Sequence, residues 1–250
     1  MVHKKRGEII RLIENDVSIP KISKRLNVGK STIYYHYKKI KGRKYQKARI
    51  PEDDEVLGEF LGIFAGDGSF IFEKKYSHYK ISISLHAVDD KDYAEYIRGL
   101  IRKNFNKIAR QYVRSNINSL TIEFYSKDIY GMIKEYLNIY PNKTYDVHIK
   151  RQLDSLSDKF LISFTRGIVD TDGCHKKDGR IVLCLTSKEM INQVSLILKN
   201  FEIGNKVYIR RKKLPSRTQY ELTIPKRYVN RYISYIGFSN KRKLNARAEI

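Results

Sequence analysis

Tryptophan is absent from this 250-residue chain, and cysteine occurs only twice, as Cys174 and Cys184. Two cysteines cannot build a Cys-rich zinc site, and they read as ordinary buried thiols of a reducing compartment. Long apolar runs are missing as well. Nothing approaches 18 uninterrupted apolar residues, which excludes a spanning helix, and Met1 to Arg6 leads into no apolar stretch of the signal-peptide kind. Glycine and proline are scarce, at 14 and 5 residues, beside a 41% hydrophobic content. That balance suits a chain folded over most of its length rather than a basic tail. No Ser/His/Asp set and no glycine-rich phosphate loop is present. Acids are the last shortage: 27 Asp and Glu face 50 Lys and Arg, a formal net charge of +23. An excess of this size fits a polyanion, because neutralised phosphates release their counterions. A ribosomal or membrane-surface protein would share that charge. The expectation is a soluble, intracellular protein (cytoplasm or nucleoid) with no membrane partner, long enough for one large or two to three small domains.

What the chain does contain is one stretch written twice. Phe60-Leu61-Gly62-Ile63-Phe64-Ala65-Gly66-Asp67-Gly68 is echoed by Phe164-Thr165-Arg166-Gly167-Ile168-Val169-Asp170-Thr171-Asp172-Gly173. Gly58, Gly62 and Gly66 recur every fourth residue, as do Ser163, Gly167 and Thr171. On a helix such positions form one ridge, and a ridge of small residues lets two backbones approach closely. The pattern predicts two helices packed through glycine, each delivering one carboxylate, Asp67 or Asp172, to the same end. A single copy would be matched equally by a helix that merely ends in Asp-Gly. Two copies in register argue for the pair.

The flanking pattern is duplicated too. Strands are expected over residues 69–74 and 80–86, a helix over 92–104, strands over 108–115 and 119–125, and a helix over 127–137. The second half repeats the order, with strands over 181–185, 206–212 and 219–224 and helices over 190–201 and 226–236. Ile81, Ile83 and Leu85 alternate with Ser82, Ser84 and His86, so one face of that strand is apolar and the other polar. Each half therefore reads α-β-β-α-β-β-α.

Residues 1–50 hold 15 Lys and Arg against 3 Asp and Glu. Helices are expected over residues 7–15 and 19–27, the second with Ser18 at its cap and Pro20 in its first turn. After Asn27-Val28-Gly29 a third helix is expected over residues 30–39. Ile22, Leu26, Val28 and Ile33 have the spacing of the buried positions in a helix-turn-helix, and this stretch resembles that motif in its resolvase-like form. The resemblance places Lys30, Ser31, Tyr34, Tyr35 and Lys38 outward on a recognition helix. A basic helical hairpin that only docks on the rest is the plainer alternative. The divisions expected are a helix-turn-helix domain (1–45), a linker (46–54) and two repeats (55–150 and 151–250).

From about residue 55 onward the chain resembles the LAGLIDADG homing endonucleases in their single-chain, two-repeat form. The implied fold is α+β, a pseudo-twofold duplication with saddle-shaped antiparallel sheets, beside the small all-α domain. Ala65 stands where the family motif has its first acid, whereas Asp170 keeps that acid in the second copy. Thr165-Arg166 departs from the usual Leu-Ala. The later acid, the one that matters in the family, falls on Asp67 and Asp172.

The resemblance implies that Asp67 and Asp172 hold a divalent metal near the carbonyls of Gly66 and Thr171, with Mg²⁺ as cofactor and Mn²⁺ able to substitute. Carboxylates brought together repel unless a cation sits beside them, and Mg²⁺ suits carboxylate and phosphate oxygens. Pro141-Asn142-Lys143 and Ser239-Asn240-Lys241 hold equivalent places, so Lys143 and Lys241 fall where the family carries a lysine near the scissile phosphates. The polar strand faces become the DNA-reading surface, with Lys74, Arg110, Arg114, Arg180, Arg210, Lys212 and Gln219 as candidates. The function expected is site-specific cleavage of double-stranded DNA by a monomer on a long, asymmetric target. The alternatives are a non-cutting DNA-binding regulator on the same fold and an RNA intron maturase. The chain starts at Met1 and ends Glu249-Ile250 rather than His-Asn, so a free-standing or intron-encoded enzyme is expected rather than an intein.

Overall fold

The computed structural model describes residues 2–41, 47–139, 143–211 and 218–245. The chain divides into two compact units, residues 1–47 and 48–250, each with its own apolar core.

In the first unit, α1 (Val2–Glu14), α2 (Ile19–Leu26) and α3 (Lys30–Lys41) close around Ile9, Leu12, Ile13, Ile22, Leu26, Val28 and Ile33. The first helix reaches back to Val2 because Lys4, Lys5 and Arg6 are good helix formers with nothing to stop them. Asn27 ends α2 in the left-handed region, at φ 49°, which short polar side chains tolerate. Ser18 stands at the expected cap position but makes no side-chain cap bond.

The second unit runs α4 (Asp54–Asp67), β1 (Gly68–Glu73), β2 (His78–His86), α5 (Lys91–Phe105), β3 (Arg110–Arg114), β4 (Ser119–Tyr125) and α6 (Lys127–Tyr136). A short ribbon and helix follow: β5 (Leu137–Asn138), α7 (Lys143–Asp146) and β6 (His148–Ile149). The second half is α8 (Asp158–Asp172), β7 (Gly173–His175), β8 (Ile181–Leu185), α9 (Lys188–Asn200), β9 (Lys206–Arg210), β10 (Gln219–Ile224), α10 (Lys226–Tyr235) and α11 (Lys241–Asn245). The two antiparallel sheets have the same strand order, β1-β2-β4-β3 and β7-β8-β10-β9. The duplicated pattern therefore folds into duplicated sheets.

Caps fix the entries of the central helices. Asp53 accepts from the Glu55 amide at 2.9 Å to start α4, and Ser157 accepts from the Phe160 amide at 3.2 Å to start α8. Phe60, Ile63, Phe64, Phe160, Phe164 and Ile168 are fully buried at their contact and against the sheets. The small residues are where the backbones touch. A β-carbon on Gly62 would lie 2.2 Å from the Phe164 carbonyl oxygen, and one on Gly167 would lie 2.5 Å from that of Glu59. The glycine ridge is thus a steric requirement, with no room for a methyl group.

Several details depart from the expectations. Lys74 lies beyond β1, in a 3₁₀ turn (Lys74–Tyr76) that Ser77 closes at φ 50°. The β5–β6 ribbon and the short helices α7 and α11 had no periodicity to reveal them, being four residues or so of mixed composition. Lys212, residues 42–45, residue 46 at the start of the expected linker, Pro141 and Asn142 lie outside the described residues.

Candidate metal and phosphodiester site

Asp67 and Asp172 are the last residues of α4 and α8, and each helix passes straight into a strand at the following glycine. Packing makes that abrupt exit possible: a β-carbon on Gly68 would sit 2.4 Å from the Phe64 carbonyl oxygen, and one on Gly173 2.5 Å from that of Val169. The two helix ends meet. A β-carbon on Gly66 would fall 2.7 Å from Asp172 Oδ2 and 2.0 Å from Thr171 Oγ1. Glycine on one helix therefore leaves the space that the other helix's acid occupies.

Charge is crowded here. Burial, then the Asp172 carboxylate, push Asp67 up to about 7, against the pull of Lys143 and Lys243. Burial also raises Asp172, opposed by the same two lysines. The helix C-termini add unfavourable partial negative charge.

Two lysines answer that charge. Lys143 Nζ donates to the Gly66 carbonyl at 2.7 Å and lies 5.7 Å from the centre of the Phe64 ring. Burial lowers its pKa to about 8, with the Asp172 and Asp67 charges holding it from falling further. The second is Lys243. Its Nζ donates to the carbonyls of Val169 (2.8 Å), Thr171 (3.0 Å) and Gly173 (2.7 Å). Lys241, the expected partner of Lys143, is exposed and lies outside this cluster. The sequence match of Asn-Lys to Asn-Lys was two residues out of step with the fold. A second lysine in Lys241-Arg242-Lys243 was the available signal, and burial alone distinguishes the two.

Asp170 and its counterpart Ala65 are both buried. Asp170 Oδ2 accepts from the Ser239 amide at 2.8 Å, which ties down the segment that carries Lys243. Asn240 and Arg242 of that segment also reach Asp90, at 3.0 and 2.9 Å. The unusual Arg166 donates to the Ile236 carbonyl at 2.8 Å and to Glu55 at 3.2 Å, and lies 3.6 Å from the buried Glu59. It is a polar tie between the paired helices, at the end away from Asp67 and Asp172.

The outer face of the first sheet carries Arg110, Tyr112 and Arg114 of β3 opposite Glu123, Thr121 and Ser119 of β4. On the second sheet Arg210 pairs with Gln219, and both lie on the outer face with Tyr208 and Lys206. Arg180 precedes β8 and is held by Asp178, at 2.9 and 2.6 Å. Lys74 is exposed on its turn rather than on a strand. In the first unit Lys30, Ser31, Tyr35 and Lys38 are exposed, whereas Tyr34 is half-buried and packs on the small core. The 3.6-residue period puts Tyr34 one step from Ile33, so it leans inward.

Among the described residues no group of three or more His, Cys, Asp or Glu side chains gathers into a protein-only metal cage. Two carboxylates with raised proton affinity, in a cradle that a β-carbon would fill, fit a hard cation that keeps waters and takes its other ligands from a substrate.

Residues 159–237 match the model of the LAGLIDADG-like domain. Among solved structures, mesophilic variants of the homing endonuclease I-DmoI superpose with a TM-score of 0.56 and 17% identity, covering 74% of this chain and 96% of theirs. I-DmoI in complex with DNA and Mn gives 0.55 at 18% identity, covering 75% and 99%. Full-length DUF199/WhiA gives 0.53 at 16% identity, covering 78% and 60%. The fold is accordingly the LAGLIDADG fold, mixed α and β with antiparallel sheets. Among curated proteins, the DNA-directed RNA polymerase subunit Rpo1C of Methanocaldococcus jannaschii is 26% identical over 192 residues, which is 76% of this chain and 20% of that protein. The Replication factor C small subunit of Thermococcus kodakarensis is 40% identical over 83 residues, 33% of this chain and 9% of that protein. The probable translation initiation factor IF-2 of Methanocaldococcus jannaschii is 26% identical over 259 residues, 97% of this chain and 20% of that protein. The chain spans a fifth or less of the length of these relatives.

Proposed function

We propose that this protein is a site-specific endonuclease of double-stranded DNA that works with a divalent metal, Mg²⁺ or Mn²⁺, at Asp67 and Asp172. The observation that carries this reading is the meeting of two carboxylates at paired helix ends, with a lysine, half-buried Lys143 or buried Lys243, on the carbonyl before each acid. I-DmoI has the same fold and has been solved with DNA and Mn, which supports the partner and the metal class. The three curated relatives bear three different names and match this chain over a fifth or less of their length, so this reading takes nothing from what those whole proteins do.

A bound divalent cation would neutralise phosphate charge, lower the pKa of a water and stabilise the leaving oxygen. Asp67 and Asp172 would hold it, with the carbonyls of Gly66 and Thr171 beside them, and each acid would serve one strand. Lys143, whose pKa of about 8 leaves it able to exchange a proton near neutrality, would offset charge at the phosphate or order the attacking water. Lys243 would do the same at the second strand in place of Lys241. The sheets' outer faces would lie in the major groove, and Lys30, Ser31, Tyr35 and Lys38 of the first unit would extend the contact as a helix-turn-helix. The protein would act as a monomer on an asymmetric site.

A second reading has a specific observation behind it, since DUF199/WhiA shares the fold as well. That reading is a DNA-binding protein that does not cut. A supercoiled plasmid library incubated with Mg²⁺ or Mn²⁺ separates the two. The nuclease linearises a subset of plasmids, and Asp67→Asn or Asp172→Asn lowers cleavage of one strand by on the order of 10²–10³-fold while binding persists. Tight binding to one duplex with no cutting in either metal would leave the second reading.

A further inference from the structure

Each sheet carries one acid in the middle of the face that would meet DNA. In the first sheet the outer-face rows, read from strand pairing, are Ser69, Ser82, Glu123 and Arg110, then Ser84, Thr121 and Tyr112. In the second sheet the matching rows are Cys174, Val182, Thr223 and Lys206, then Cys184, Glu221 and Tyr208. The match is anchored by Gly68 opposite Ile83 and Ile122, and by Gly173 opposite Leu183 and Leu222. Thr223 therefore stands where Glu123 does, and Glu221 stands where Thr121 does. The duplication has exchanged the acid and the threonine between adjacent rows.

Both acids are nearly buried, at 9% and 7% exposure. Glu123 takes Lys80 Nζ at 2.5 Å and the hydroxyls of Tyr112 and Tyr125 at 3.3 and 3.1 Å. Glu221 takes the Arg210 guanidinium, with Thr223 Oγ1 at 3.1 Å and Cys184 Sγ at 3.7 Å. Burial pushes Glu123 up, but the hydrogen bonds from Lys80, Tyr125 and Tyr112 outweigh it and hold it below the usual carboxylate range. It stays ionised and can only accept.

A carboxylate on a face that meets phosphates costs affinity by repulsion unless donors offset its charge, and beyond the donors of its own sheet each acid has lone pairs left to accept another. In the major groove the donor it suits is the cytosine N4 amino group, and the cation beside it suits guanine O6 and N7. We propose that Lys80–Glu123 and Arg210–Glu221 are the base-reading couples of the two sheets, each taking a C·G pair, and that their exchanged rows place those pairs at unequal distances from the target's centre. The inference rests on duplex DNA being the partner and is independent of cutting. One row step is two residues, about 7 Å along a strand, or about two base pairs for a strand that follows the groove.

The test is selection of bound duplexes from a randomised library by the full chain, with Ca²⁺ or no metal, followed by sequencing. Wild type is expected to prefer cytosine at one position in each half-site, at distances from the centre that differ by about two base pairs. Glu123→Gln should lower the cytosine preference at one position by about 5- to 150-fold, with adenine gaining there and the other half-site unchanged. The double variant Thr121→Glu/Glu123→Thr should move that position by about two base pairs, so that the half-sites become mirror-related. If Glu123→Gln instead weakens binding to all sequences alike, the acid is only a sheet tie and the inference is overturned. It is overturned equally if the row exchange folds but leaves the selected sequence unmoved. Should the row exchange not fold, Glu123→Gln alone decides. A wild type that selects a duplex but never cuts it removes the nuclease reading and leaves this one standing. A wild type that selects no duplex removes both.

Discussion

Lys243 sits in the interior on three carbonyl oxygens, and that position gives it two kinds of consequence. Replacing it with Met removes a donor from three carbonyls at the end of α8, of which that of Val169 keeps the Gly173 amide, and costs about 1–3 kcal/mol. Thermal melts should show Lys243→Met well below wild type and the exposed Lys241→Met within about 0.5 kcal/mol of it. In the nuclease reading the first also loses cleavage of one strand, and the second does not. The acids make a pH prediction. Asp67 has an ordinary pKa of 3.8 and a folded value of about 7, so the folded protein binds this proton more tightly than the unfolded chain does. Its contribution is therefore most favourable below about pH 4 and is lost as pH climbs to about 7. In metal-free buffer, the wild-type Tm minus that of Asp67→Asn should fall across that window, and a saturating divalent cation at pH 8 should restore it.

At the scale of elements, the paired helices are the part least able to absorb change. Gly62→Ala drives a methyl group into the Phe164 carbonyl at 2.2 Å, and neither backbone can retreat without opening the core. The expected loss is about 3 kcal/mol or more in a denaturant melt. Gly99 of α5 has nothing within 4 Å of the added atom, so Gly99→Ala should be neutral or stabilising by up to about 1 kcal/mol. The small-residue ridge was legible from sequence because it repeats every fourth residue in both copies. Strand positions were legible by alternation, and residues 119–125, 181–185 and 219–224 coincide with β4, β8 and β10. Short elements such as α7 and α11 were not, since one helical turn leaves no period to read. Those elements deliver Lys143 and Lys243, which is why matching Asn-Lys to Asn-Lys points to Lys241 and not to the lysine that reaches the end of α8.

For the molecule as a whole, charge is the governing quantity. With a net of +23, binding to duplex DNA should weaken steeply with salt, and log K against log salt should be linear. Removing residues 1–47 leaves a second unit whose core is its own. In the helix-turn-helix reading, that truncation should lower affinity and flatten the salt slope by about one unit for each phosphate those residues neutralise, without changing cleavage at saturating protein. Equal affinity and slope in the truncated chain would show that the first unit does not touch DNA.

The sequence by itself determined the duplication, the glycine contact, the two acids at its end and the basic character, because each is written as a period, a repeat or a count. Only the tertiary structure decided which lysine meets the acids, that Tyr34 leans on a core, and that Glu123 and Glu221 sit in exchanged rows beside Lys80 and Arg210. These facts depend on strand register and burial between residues up to 77 positions apart, as with Lys143 and Gly66. No local pattern in a chain carries that distance.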